Sequence, residues 1–376
     1  MIDRPFWRRR IDEAWREAPI AWLCGVRRCG KTTLAQSFGT DRILYVNCDL
    51  PVVEEMVRDP RLFYRSCEKP IIVFDEIHQL SDPARLLKIG ADTFPKLRIL
   101  ATGSSTLAAS RKFRDTLTGR KRTVRLTPVP WDELPAFGAP LERRLYHGGL
   151  PQALLADAKH PALYREWLDS FFARDIQRLF GFRDANRFNS LFEYLLRQSA
   201  GQLDVSKAAR ATAIARPTVM SHLRALEITH AITLVRPFHH GGQHEITRQP
   251  RLYAFDTGFV SFARGWDPLR PEDRGVLWEH LVLEHLQAHF PDVSIGYWRD
   301  KAGREVDFVL PRRRDVVDAI ECKWDPSAFD PSALKLFRAL YPGGRNYLVT
   351  PSADQTYRRR YGNVDVTVCT PTDLNS

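Results

Sequence analysis

Apolar residues in the first third of the chain come in short unbroken runs. Ile20, Trp22 and Leu23 lie in one run. Ile43-Leu44-Tyr45-Val46-Asn47, Ile71-Ile72-Val73-Phe74 and Leu97-Arg98-Ile99-Leu100-Ala101 form three more. Runs this short that lack polar alternation suit strands buried on both faces, as in a parallel sheet. Between them, Thr33–Phe38 and Asp59–Tyr64 read as helices, and Asp12–Ala18 as a short amphipathic helix leading into the first strand. The pattern predicts an α/β domain over residues 1–140.

Pro128, Pro130 and Pro135 then break the rhythm, which places a boundary near 128–145. Leu163, Trp167, Phe171 and Ile176 fall roughly on one helical face, and Phe188–Ser199 continues in helix, giving a helical connector over 141–200. In 201–265 the pattern changes again. Leu203-Asp204-Val205-Ser206 opens a capped helix to about Ala211, and Ala215-Arg216-Pro217-Thr218 opens a second to Leu226. Two strands follow, Ala231–Pro237 and Leu252–Phe255, joined across His239–His244. Helix, turn, helix and hairpin form a winged helix-turn-helix pattern. Thr218, Ser221, His222 and Arg224 are expected on the exposed side of its second helix, placed either for DNA or for packing. In 266–376, Gly275–Val282 reads as an apolar helix, with strands at Glu305–Leu310 and Ala319–Lys323.

Chemistry enters at the end of the first strand. Gly25-Val26-Arg27-Arg28-Cys29-Gly30-Lys31-Thr32 matches G-x-x-x-x-G-K-T, and Thr33 follows it. Glycines let backbone N–H groups curl around an anion, and the following helix N-terminus adds partial positive charge. Lys31 is the residue type that reaches β- and γ-phosphates, and Thr32 the type that ligates magnesium. The third run ends in Asp75-Glu76. An acid at that strand end holds Mg2+, and the next Glu polarises the attacking water. The fourth run ends in Thr102-Gly103-Ser104-Ser105. Thr102 and Ser104 are candidates for contact with a γ-phosphate, and equally for capping the next helix. Asn47 and Asp49 serve either a ligand or a turn. His78 reads as a packing or surface residue. Aromatics beside Arg8-Arg9-Arg10 are candidates to border an adenine. Arg120, in Leu117-Thr118-Gly119-Arg120, can present a guanidinium to a phosphate in cis or from a neighbouring subunit.

The terminal part carries a second constellation. Asp307 sits in one strand, Glu321-Cys322-Lys323 forms E-x-K in the next, and Glu279 lies on the helix before them. Two carboxylates can hold a divalent metal against a phosphate while a lysine orients water. Ion pairing across a sheet would use the same residues.

Composition sets limits. The chain has 376 residues, with 44% hydrophobic and 27% charged residues, enough for several packed cores. Its net charge is +11 and its pI near 9.5, which favours an anionic partner such as DNA. The six cysteines show no C-x-x-C or zinc spacing, which suits a reducing cytoplasm. The first residues lack the apolar core of a signal peptide. No run approaches the roughly 18 apolar residues of a membrane span, so no membrane association is expected.

Together the motifs resemble a bacterial and archaeal family of AAA+-type P-loop ATPases with a C-terminal domain of unknown function. The resemblance rests on Gly25–Leu34, Ile72–Ile77, Thr102–Ser105, Leu117–Arg120, Gly148-Gly149-Leu150-Pro151, Arg304–Phe308 and Ile320–Lys323. It implies an ATP- and Mg2+-dependent switch or motor, acting on DNA and able to form a homo-oligomer. It also implies a restriction-endonuclease-like α/β domain of the PD-(D/E)XK type over 266–376. Glu279, Asp307, Glu321 and Lys323 follow the E…D…ExK order of Holliday-junction resolvases, a site that would take Mg2+ or Mn2+. The usual Pro before the Asp is absent, with Val306 in its place.

Overall fold

The computed structural model describes residues 2–103, 111–238, 249–353 and 355–375. Ser104, Ser105 and the His239–His244 loop lie outside them. Five strands make the first sheet: β1 (Ile20–Cys24), β2 (Ile43–Asn47), β3 (Ile71–Asp75), β4 (Arg98–Thr102) and β5 (Lys121–Arg125). Their order is β2-β3-β4-β1-β5, and every neighbouring pair is parallel. All residues of β1 and β3 are buried, which accounts for the unbroken apolar runs. The carboxyl ends of β1, β3 and β4 therefore point the same way and bring Gly25, Asp75 and Thr102 to one edge.

The first helix starts at Pro5 and ends at Glu17, well ahead of the expected Asp12. Pro at its first turn presets the helical φ and needs no N–H partner. Phe6 and Trp7 are thereby buried in the core. The Trp7 indole donates to Glu133 (3.1 Å), and neither ring lines the cavity beside Gly25–Thr32.

In the middle of the chain the helix Pro161–Phe171 runs into a π-helical segment, Phe172–Gln177. A π turn inserts an extra residue. Phe171 and Ile176, five apart, thus share the buried face with Trp167. β6 (Gly201–Gln202) comes next, then helices Val205–Thr212 and Arg216–Ile228 and the hairpin of β7 (Ile232–Pro237) and β8 (Arg251–Ala254), whose β8 pairs with β6. Thr218, Ser221 and Arg224 are exposed as expected. His222 is not. It is buried, with its ring 4.5 Å from Phe182 and 5.3 Å from Phe188, because these aromatics need cover on that helix face.

The hairpin continues into the terminal region. β7 pairs in parallel with β9 (Gly296–Arg299), and β9 leads to β10 (Glu305–Arg313), β11 (Val316–Cys322), β12 (Asn346–Val349), β14 (Val364–Cys369) and edge strand β13 (Tyr357–Tyr361). Nine strands in the order β13-β14-β12-β11-β10-β9-β7-β8-β6 form one sheet across residue 265. The helix Pro271–His289 packs on it through Leu277, Trp278 and Leu281. No helix among the described residues is long and apolar enough to cross a membrane. All six cysteines are unpaired.

Three chain regions meet on one buried guanidinium. Arg144 is fully buried and donates to the Val129 carbonyl (2.6 Å) and Thr257 Oγ1 (2.8 Å), and it pairs with Glu284. Gly148 and Gly149 lie against this hub. A Cβ on Gly149 would meet the Arg144 guanidinium at 2.6 Å, and one on Gly148 would meet Asp256 Oδ1 at 2.0 Å. Asp256 accepts from the Gly149 amide (2.6 Å) and caps the helix that follows it. Removing one partner of a buried ion pair leaves an uncompensated charge. Arg144→Met is expected to lower unfolding free energy by about 3–5 kcal/mol in chemical denaturation. Pairing it with Glu284→Leu is expected to recover part of that loss, since an apolar pair carries no desolvation penalty.

Candidate nucleotide site and a second acidic cluster

Gly25 follows β1 with φ +143°, and a Cβ there would lie 2.2 Å from the Leu126 carbonyl oxygen. Arg28 (φ +63°) and Gly30 (φ +97°) complete a left-handed turn that ends at the helix Lys31–Gln36. Lys31 Nζ donates to the loop carbonyls of Gly25 (3.0 Å) and Val26 (3.1 Å). Its charge is thus held inside the cradle, able to turn from carbonyl dipoles to a stronger anion.

Asp75 is the centre of the edge. One carboxylate oxygen accepts from Thr32 Oγ1 (2.8 Å) and Tyr45 OH (2.6 Å), the other from Thr102 Oγ1 (2.5 Å). Thr102 is fully buried and also accepts from the Glu76 amide (2.9 Å). Its hydroxyl is spent on setting the two acids, so it positions them and does not itself face a ligand. Glu76 takes a left-handed φ of +55°, a conformation that costs about 1–3 kcal/mol in a non-glycine residue. Burial pushes its carboxyl above the usual carboxylate range, against the nearby Lys31 charge. His78 stands 3.2 Å from Glu76, so it belongs to the site and not to general packing. Burial holds its imidazole below the ordinary value.

A cavity of about 740 Å3 opens over this edge, walled by Asp49, Glu76 and His78 on one side. Arg174, Asp175 and Arg178 of the π-helical segment and the turn after it form the other side. Asn47 Oδ1 accepts from the Asp49 amide (3.1 Å), so Asn47 makes the turn while Asp49 lines the cavity. The loop arginines are strapped to the same helix. Arg27 pairs with Asp175 (2.8 Å), Arg28 with Glu166 (2.5 Å), and the Trp167 indole donates to the Arg27 carbonyl (3.0 Å). Behind the loop, Arg4 donates to the Cys29 carbonyl (3.0 Å) and pairs with Glu133. Arg120 is not brought here. It lies at the amino edge of the sheet, opposite the loop, and pairs with Asp92 (2.6 Å).

Sequence reasoning missed Tyr45, Arg174, Asp175 and Arg178. The last three carry no signal of their own, since charges between apolar residues are the ordinary solvated face of a helix. Arg174 and Arg178 are exposed charges beside an aromatic stripe, and only the π-helical register turns them toward the loop.

The terminal constellation also assembles. Asp307 Oδ2 accepts from the Cys322 amide (2.9 Å) and lies 3.4 Å from Lys323 Nζ, which is 3.1 Å from Glu321 Oε2. Glu279 reaches the same place from its helix and accepts from Tyr253 OH. A fifth residue, outside the expected set, stands among them. Arg251, at the start of β8, is 2.7 Å from Glu279 Oε1, 2.7 Å from Glu305 Oε1 and 3.7 Å from Asp307 Oδ1. Burial pushes Glu279 up to about 7 and Glu321 up to about 8.

Among the described residues, ligand-type side chains converge within 4.8 Å as a trio at Asp132, His285 and His289, not at this cluster. There Asp132 Oδ2 lies 2.7 Å from His289 Nε2, and the two imidazoles stack 4.1 Å apart at 25°. Asp132 is hydrogen-bonded to His289 and accepts from Thr372 (3.0 Å), while His285 stands 3.8 Å away.

The parallel sheet, the glycine cradle and the Thr32–Asp75–Thr102 bonding define a P-loop ATPase domain. Residues 17–134 match the AAA domain family, which supports ATPase-type activity. Residues 139–270 and 274–370 match two domains of unknown function, DUF8612 and DUF4143. The chain is similar to Rv2008c of Mycobacterium tuberculosis, 26% identical over 82% of this chain and 71% of the relative. It is also similar to MJ1544 of Methanocaldococcus jannaschii, 22% identical over 77% of this chain and 72% of the relative. Among solved structures, a Thermotoga maritima RuvB variant covers 62% of this chain and 90% of its own, with 17% identity and a TM-score of 0.31.

The cradle gives a direct test. Gly25→Ala is expected to abolish binding of a fluorescent ATP analogue while far-UV circular dichroism stays close to that of the parent. Retained binding would show that the loop can shift to accept the Cβ.

Proposed function

We propose that this chain is an ATP-hydrolysing switch that acts on DNA, with the helix after residue 160 reading its nucleotide state. The Asp75 bonding carries this reading, because it holds together the groups that hydrolysis needs. Loop amides Gly25 to Thr33 would bind the phosphates of ATP, with Lys31 turning from the Gly25 and Val26 carbonyls toward them. Thr32 and Asp75 would hold Mg2+, which supplies charge neutralisation at the phosphates. Glu76, beside Asp75 and set by Thr102, accepts the proton of the attacking water. Ile2, Phe137, Pro151 and Leu155 offer an apolar wall for the base. Arg174 and Arg178 face the cavity from the helix, and the Arg27–Asp175 pair ties that helix to the loop.

The exposed Thr218, Ser221 and Arg224, with the charge of +11, support a DNA partner. A role for Arg120 belongs to a homo-oligomer, since it reaches no site in its own chain. The unpaired cysteines accord with a cytoplasmic place. A second reading adds Mg2+- or Mn2+-dependent cleavage at Glu279, Asp307, Glu321 and Lys323. The Arg251 guanidinium among those carboxylates favours a nuclease-like domain that does not cut.

Steady-state hydrolysis tests the first reading. Lys31→Ala is expected to abolish ATP turnover, and Glu76→Gln to retain bound ATP with turnover reduced about 100-fold or more, the scale of a lost general base. Unchanged turnover in Glu76→Gln would remove Glu76 from its role. The raised Glu76 pKa sets the sign of the pH dependence. Activity should be full where Glu76 is ionised and fall as pH drops, with the acid limb above the ordinary carboxylate range. A limb at the ordinary value would place the base elsewhere. DNA binding should weaken steeply with salt. Incubation with linear, forked and four-way DNA in Mg2+ or Mn2+ is expected to give no cut. Cleavage lost in Asp307→Ala would establish the second reading.

A further inference from the structure

We propose that the acidic centre of the terminal sheet is a guanidinium site whose ligand is the chain's own Arg251, and that this arginine excludes a divalent cation.

The carboxylates come from three elements: Glu279 from the helix Pro271–His289, Glu305 and Asp307 from β10, and Glu321 from β11. The Arg251 side chain is only 8% exposed and lies against three of them. Its Nη2 also donates to the Ala200 carbonyl (2.7 Å), which fixes the plane of the fork from behind. Glu305 is further held by Arg299 (2.8 Å). Lys323 covers the remaining side of Asp307 and Glu321. Four carboxylates thus meet three cations, and little negative charge is left to attract a metal.

The residues do not fit a preformed metal centre. Oxygens of Glu279, Asp307 and Glu321 do not gather within ligating range of one point. A dication on Asp307 Oδ1 would sit against the Arg251 Nη1 already 3.7 Å away. One atom shows the latent capacity. Glu321 Oε1 is buried and accepts no hydrogen bond within the protein. It is an oxygen that no donor serves, and a cation entering in place of the guanidinium would find it unoccupied.

The origin of Arg251 gives the site its meaning. It opens β8, the returning strand of the hairpin after the two helices, and β8 pairs with β7, which in turn pairs with β9. The guanidinium therefore locks the hairpin onto the terminal strands from within the shared sheet. The proposal is independent of nucleotide binding, and its test contains no nucleotide.

Mn2+ binding to the full chain, followed by electron paramagnetic resonance, reads the site. The parent protein is expected to show no Mn2+ site that Asp307→Asn removes. Arg251→Met is expected to gain Mn2+ affinity at least tenfold, and Arg251→Met with Asp307→Asn to lose that gain. Arg251→Lys keeps a cation in place and is expected to gain less than Arg251→Met. A parent site abolished by Asp307→Asn would overturn the proposal, as would a folded Arg251→Met with unchanged affinity. Should Arg251→Met not fold, the melting temperature of the parent decides. A rise with Mn2+ that Asp307→Asn abolishes refutes the proposal, and no such rise upholds it.

Discussion

The architecture depends on one charge that water never reaches. Arg144 lies at the meeting of three chain regions, bonded to the Val129 carbonyl just after β5, to Thr257 and to Glu284. A buried guanidinium has five donors and no acceptor, so each surrounding segment must supply an oxygen at a fixed place. This explains why Gly148 and Gly149 stand beside it: a side chain at either would displace the groups that compensate the charge. An apolar contact could hold the regions together with equal energy but not with equal direction.

The same logic operates at the carboxyl edge of the first sheet. Asp75 is served by Thr32, Tyr45 and Thr102 from three elements, so the spacing of the edge is set by hydrogen bonds, not by packing alone. The Glu76 backbone is held in a costly conformation by that arrangement. On the outer side, Arg27 and Arg28 couple the loop to Asp175 and Glu166. A π-helical turn brings Arg174 and Asp175 to the cavity while keeping Phe171 and Ile176 in the core. The helix thereby serves packing and the site at once, which an ordinary α-helical period would not allow over the same residues.

Buried arginine recurs as the joining device. Arg4 ties the loop to Glu133, Arg144 ties the chain after β5 to the helix Pro271–His289, and Arg251 ties the hairpin to the terminal strands. In the last case the device occupies a constellation whose residue order resembles a metal nuclease. The spacing of E-x-K is a statement about one strand and its neighbour, and both ion pairing and metal chemistry satisfy it. What fills the space between the carboxylates separates the two.

Much of this was legible along the chain. Unbroken apolar runs identified β1 to β4 because burial on both faces leaves no place for alternation, whereas the basic edge strand β5 carries no such run. The glycine loop, Asp75-Glu76 and the strand end at Thr102 were readable because each sits next to its strand in sequence, and parallel strands carry their ends to one edge. Glu279, Asp307, Glu321 and Lys323 were found by the order and spacing of an E…D…ExK pattern, on a helix and two antiparallel strands. Other features required the tertiary structure. Nothing local to Arg251 tells that it crosses into an acidic cluster whose carboxylates, from Glu279 onward, all lie far along the chain. Nothing local to His222 tells that Phe182 and Phe188 cover it. Arg120 reads as a phosphate arginine, yet its position at the amino end of β5 carries it to the opposite edge. Sequence determines which elements form and which residues ride on their ends; only the folded chain decides which charges meet, because an ion pair depends on distance in space and leaves no period in the sequence.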